Sequence, residues 1–330
     1  MKKLILTCLL VLAAAAGRAQ ETAVIDGVKY LLDGGKASVM QQSGLTGDIV
    51  IPETVRHDNT DYTVTTVQSN AFKDNEITSI SLPNTVSVMG EACFESCSRL
   101  ESVTLPAGLT SLGNSCFYDC RNLASVTLPE GITTLGVNCF YRCTSLTPVT
   151  LPEGIEELGY QCFYGCTSLE SVVLPGSLRT IGNNCFYDCS ALKSVTFGGS
   201  IGALPEKCFY GCTSLESIAL PEGVKELGEN CFYRCSNLAS VTLPESITRL
   251  ADFCFAECTS LSSITLPNSI TDMGFRCFFR CSGLESVTLP EGITLLPSNC
   301  FESCSSLVSV NLPGSILSVS YTHLTLPTIA

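Results

Sequence analysis

Residues 116–138 read CFYDCRNLASVTLPEGITTLGVN, and from residue 139 the chain starts over with CFYRCTSLTPVTLPEGIEELGYQ. The Cys-Phe pair recurs at Cys93, Cys116, Cys139, Cys162, Cys185, Cys208, Cys231, Cys254, Cys277 and Cys300, each 23 residues after the last, with no insertion or deletion. A length of 330 residues would by itself suggest about two domains. A strict short period overrides that prior, because repeats of this size stack into one elongated body.

Within a copy, Ser125 to Leu128 alternates with period two, so Val126 and Leu128 share one face and Ser125 and Thr127 the other. Pro129 has no N–H to give to a ladder and closes this strand. Gly131 then admits a turn before a second apolar run, Ile132 to Leu135, which Gly136 ends. For Cys116 to Cys120 a helical turn is the better template. At about 100° per residue, Cys116, Phe117 and Cys120 share one arc while Tyr118 and Asp119 point away. Both cysteines are therefore expected inside. One copy cannot bury its apolar face alone, whereas stacked copies can, which places Phe117 under Phe140 and Cys116 under Cys139.

The segment LESVTLPAGL, residues 100–109, is close to the leucine-rich repeat signature L-x-x-L-x-L-x-x-N-x-L. Gly108, Gly131 and Gly154 stand where that signature has Asn, so a buried asparagine ladder is not expected. An LPxxIxxLG arm joined to an xxCFxxC arm at this period resembles the BspA-like leucine-rich repeat proteins of bacterial surfaces, over roughly residues 60 to 318. The resemblance implies a leucine-rich repeat solenoid of short parallel strands with turn or short-helix arms, to which the residues before it are expected to add a small N-terminal β cap. It also implies a class of surface proteins that attach to host matrix proteins or to other cells. One departure stands out: the family's usual Ala before Phe is kept in Asn70-Ala71-Phe72, but the next ten copies carry Cys there.

Four segments are expected along the chain. Residues 1–19 carry Lys2 and Lys3, then an apolar stretch, then the small-residue end Gly17-Arg18-Ala19, the pattern of a secretory signal peptide. Cys8 lies too early in that stretch for a lipid-anchor cysteine. Residues 20–68 break the period but keep alternation, as in Tyr62-Thr63-Val64-Thr65, and suit a β cap over the first open coil. Residues 69–318 form the solenoid. Residues 319–330 abandon the frame, which reads as a truncated end or a foreign tail. No later segment approaches the ~20 unbroken apolar residues that a transmembrane span needs.

Removing residues 1–19 takes away Lys2, Lys3 and Arg18 and no acid, so the net charge goes from −13 to −16. Nucleic acid is an unsuitable partner for such a chain, since phosphate binding needs a basic stripe. The twenty cysteines beyond residue 19 are expected as buried thiols packed as small hydrophobes. In-register neighbours stand about 4.8 Å apart with parallel side-chain vectors, a poor geometry for bridging. No metal site is expected among them, because no histidine and no CxxC spacing accompanies them. No cofactor is expected either, there being no P-loop or dinucleotide glycine pattern. The two histidines, His57 in the cap and His323 in the tail, leave the array without a catalytic base, and its periodicity reads as unbroken from Cys93 to Leu312.

Surfaces remain. Outward strand positions form columns of hydroxyls that include Ser125, Ser171, Ser194, Ser217 and Ser240 in one and Thr127, Thr150, Thr196 and Thr242 in the next. Glu101, Ala124, Thr147, Glu170, Lys193 and Glu216 vary beside them. A second candidate surface is the tyrosine column, Tyr118, Tyr141, Tyr164, Tyr187, Tyr210 and Tyr233. Both columns also have a purely structural reading, as soluble sheet surface and as a stacked ladder. The expected function is an exported, non-catalytic binding or adhesion module for an extracellular or cell-surface protein or glycan. The competing expectation is a rigid spacer that presents a further C-terminal domain.

Overall fold

The computed structural model describes residues 20–147 and 149–319. The expected signal peptide and His323 lie outside the described residues. The chain opens with an antiparallel meander of β1 (Glu21–Ile25), β2 (Val28–Asp33) and β3 (Lys36–Val39). After β4 (Thr46–Val50) comes a hairpin of β5 (Thr54–His57) and β6 (Thr60–Val67). Its two-residue turn, Asp58-Asn59, has φ of 46° and 60°, the left-handed pair that lets a hairpin follow the natural strand twist. β6 joins β3 in parallel, giving the order β1-β2-β3-β6-β5. Tyr30, Leu32, Val39, Val64 and Val67 fill the space beneath.

Two parallel ladders grow from this start. β4 pairs with β7 (Glu76–Ser81), so the first ladder begins at Thr46. It continues through Ser102–Thr104 and Ser125–Thr127 to Val149–Thr150, and the same side is carried on by further sets of paired strands from Ser171–Leu174 to Ser309–Asn311. The second starts where β6 pairs with β8 (Val88–Met89) and climbs through two-residue strands such as Ser111–Leu112, Thr134–Leu135 and Glu157–Leu158. Register advances one period per coil in both, as in Val126 opposite Val149 and Leu135 opposite Leu158.

The third side of each coil differs from the helical turn that the sequence pattern favours. Among the described residues there is no helix; Cys116–Cys120 lies in consecutive tight turns. Tyr118 N–H donates to Ser115 O (3.1 Å) and Cys120 N–H to Phe117 O (3.2 Å), both i to i+3. The amides between them reach across to the next coil, Phe117 N–H to Cys139 O (2.8 Å) and Asp119 N–H to Tyr141 O (2.7 Å). Ser115 and Asp119 take left-handed φ of 54° and 57°, and residues in step with them repeat this in every coil. Two left-handed residues four apart in each coil bracket the turns, and the chain returns to the same side after four residues, as a helix nearly does. Cys116, Phe117 and Cys120 are accordingly fully buried, and Tyr118 is half-buried.

The core is a set of continuous columns. Phenylalanine rings from Phe72 to Phe301 stack at 5.2 to 5.6 Å, within 9° of parallel. The second strand ends at Leu135, directly before Gly136 as expected, and the glycine there also meets a demand of space. A Cβ on Gly159 would sit 2.6 Å from the Gly136 carbonyl carbon, so the coils close up at that corner. All twenty cysteines from Cys93 to Cys304 are unpaired and buried. The second of each pair donates its thiol to the phenylalanine carbonyl one coil back, at 2.9 to 3.2 Å from Cys97 to Cys304.

Candidate ligand-binding faces

The first ladder turns alternate residues to solvent. Ser125, Thr127, Thr150, Ser171, Ser194, Thr196, Ser217, Ser240 and Thr242 are all exposed, while Val126, Val172 and Val195 between them are buried. The register sets Ser171 opposite Ser194 and Thr127 opposite Thr150, so the hydroxyls form straight rows with Val173, 58% exposed, as an apolar interruption. An ion pair borders the rows where Lys193 Nζ meets Glu170 Oε2 at 3.0 Å. Such a face offers shallow, repeated donors and acceptors.

Tyr141, Tyr164 and Tyr187 lie apart from these rows, on the turn side. From Tyr118 to Tyr233 the rings stack at 4.4 to 5.0 Å, and Tyr233 Oη donates to Glu257 Oε1 at 3.0 Å. Burial pushes the Tyr118, Tyr164, Tyr187 and Tyr233 phenols up from their ordinary range, and neighbouring phenols and acids add to it. Because each inner ring is covered on both faces by its neighbours, it presents only an edge and a hydroxyl. A sugar that stacks on a ring face finds none free in the middle of this ladder.

Two local features fall outside the uniform reading of the repeats. A notch of about 390 Å³ lies in the second ladder at Ala203, bordered by Pro205, Glu206, Glu226 and Arg249. Arg249 bridges Glu226 and Asp272 there. Further along, the Arg276 guanidinium lies 4.7 Å from the Phe279 ring centre and 4.9 Å from that of Phe275, with Glu302 at 3.0 Å. Phe253 packs edge-on against Phe275 and holds a left-handed φ of 56°, unusual for so bulky a residue. In the columns of Phe253, Phe275 and Phe279 no other copy has phenylalanine, and most have polar or tyrosine side chains, a signal that only column-by-column comparison of the copies brings out. The array is thus locally broken in two places.

His57 is the sole histidine among the described residues, and its neighbours are Glu21 and Asp58 at the cap's edge, with no serine or cysteine nucleophile in the group. No helix of the described residues is long and apolar enough to cross a membrane.

The architecture has counterparts among solved structures. A leucine-rich cell surface protein of Faecalibacterium prausnitzii is 22% identical, with 92% of this chain and 96% of that one covered and a TM-score of 0.54. A leucine-rich repeat protein of Bacteroides ovatus is 24% identical over 91% of this chain and all of its own, TM-score 0.57. The pneumococcal vaccine antigen PcpA is 18% identical over 91% and 87%, TM-score 0.58. These likenesses establish the fold. A comparison with curated proteins finds no match to the chain. The model of the BspA type leucine rich repeat region matches in overlapping spans, residues 65–193, 133–252 and 226–324. Those spans take in both ladders and the turn side of the solenoid, and the chain belongs to the BspA type leucine-rich repeat family.

Proposed function

We propose that this chain is an exported, non-catalytic binding or adhesion module that recognises an extracellular or cell-surface protein or glycan through its hydroxyl-bearing strand face. The observation that carries the reading is the exposed Ser-x-Thr rows of the first ladder, held in register coil after coil. A ligand laid across several coils gains from many weak contacts without needing a deep pocket. A neighbour of the same fold is described as a cell surface protein, and residues 1–19 have the pattern of an export signal. Catalysis is left out of the reading because no histidine occurs within the repeats.

The test is binding to a panel of immobilised matrix proteins and glycans. Thr150→Ala alone is expected to be nearly silent, since a spread-out contact has no single anchor. Replacing Thr127, Thr150, Val173 and Thr196 together with Arg is expected to abolish binding with the circular dichroism spectrum unchanged. A parent-like quadruple variant, alongside a Tyr141/Tyr164/Tyr187→Ala variant that fails to bind, moves the site to the tyrosine ladder. If neither variant loses binding, the spacer reading takes its place.

A further inference from the structure

We infer that Glu21, His57 and Asp58 form a binding site for a divalent transition-metal cation of the zinc class, one that clamps the two edges of the cap sheet together. Glu21 stands 36 residues before His57, which is adjacent to Asp58, and topology brings the distant carboxylate to the pair. β1 and β5 are opposite edges of the order β1-β2-β3-β6-β5, yet the sheet curls so far that the start of β1 meets the end of β5. His57 Nε2 lies 3.3 Å from Glu21 Oε1 and 3.9 Å from Asp58 Oδ2, and one ligand atom from each residue lies within 4.8 Å of the others.

These separations suit a metal. Nitrogen and oxygen ligands bound at about 2.1 Å in a tetrahedron stand roughly 3.4 Å from one another. The His57 and Glu21 atoms already have that spacing, and a small rotation brings in Asp58, whose side chain projects from the left-handed hairpin turn at φ 46°. One imidazole nitrogen with two carboxylates is a donor set for zinc, nickel or cobalt, the remaining positions falling to water. Calcium and magnesium favour all-oxygen shells with more ligands. The local charge points the same way, since two carboxylates share one imidazole while Arg56 on the same hairpin is engaged with Asp61 at 3.5 Å. A cation held by β1 and by the β5–β6 hairpin links strands that no ladder hydrogen bond joins in the sheet order. Metal binding therefore closes the sheet on itself at the end of the solenoid.

Calorimetric titration of zinc chloride into the folded chain tests this, with calcium and magnesium chlorides as comparison ions. One zinc site per chain is expected, with no comparable calcium or magnesium binding, and zinc is expected to raise the thermal midpoint. His57→Gln and Glu21→Gln are each expected to weaken zinc roughly tenfold or more and to remove the thermal shift. Both side chains are at least partly solvent-exposed, so these variants keep the fold, as their circular dichroism checks. Undiminished zinc binding in both variants would place the metal elsewhere, on the thiols above all, and overturn the assignment. A parent that ignores zinc, or that takes calcium equally well, overturns it too.

Discussion

The Phe163 and Tyr164 pair separates what the core needs from what the surface tolerates. Phe163 is fully buried with rings at 5.3 and 5.5 Å above and below it, whereas Tyr164 stacks as closely but keeps an open edge. Phe163→Ala leaves a cavity in the middle of a close-packed column and is expected to cost about 3 to 5 kcal/mol. Tyr164→Ala is expected to cost well under half of that, as read from denaturant midpoints of the two variants. Equal losses would mean that the tyrosine ladder is as much a part of the core as the phenylalanines. The inward set of each coil was legible from a single copy, because helix and turn both bring residue i+4 back beside residue i. Phe253 was not legible in this way: its significance lies in a neighbouring guanidinium, that of Arg276, which belongs to the next coil.

Strands and turns differ in how far the sequence reveals them. Ser125–Thr127 announces itself by alternation and by the proline that follows, and it pairs as that pattern demands. The Cys116–Cys120 arm reads as helix because the hydrogen bonds that decide against it run to Cys139 and Tyr141, outside the copy being read. The same cross-coil logic gives the second cysteine of each arm a partner, the phenylalanine carbonyl behind it. Burial holds those thiols protonated, and the effect weakens toward the end of the array, where Cys304 is pushed up only to about 11 and is 7% exposed. Thiol counting on unfolded, never-reduced protein is therefore expected to find most of the twenty free. In the native state labelling is expected to be slow throughout and fastest at Cys300 and Cys304. Ten disulfides, or fast labelling at the central Cys162, would contradict the packing described for the arm.

For the whole solenoid, the thiol columns tie stability to pH. An unfolded thiol titrates near 8.5. Burial raises Cys162 and Cys166 well beyond that, as it does Cys139 and Cys185. Above about pH 8.5 the unfolded chain releases protons that the folded chain keeps, so the folded state binds more protons and stability falls as pH rises. Below that point the contribution of the thiols is fully present. The loss continues up to the folded value, which lies near 12 for Cys300 and near 11 for Cys304. One pH unit above 8.5, the two thiols of an internal coil together remove roughly 3 kcal/mol. A stack of such coils unfolds cooperatively with its neighbours, so the loss accumulates along the molecule and an alkaline transition is expected between about pH 9 and 11. Denaturant titrations at a series of pH values measure the slope directly. Replacing Cys162, Cys166, Cys185 and Cys189 with Ala is expected to lower stability at pH 7. It is also expected to flatten the alkaline slope by about 1.4 kcal/mol per pH unit for each thiol removed. A parent whose stability stays level from pH 8.5 to 10 would show that the columns are not protonated thiols, and would favour bridged sulfurs inside the coils.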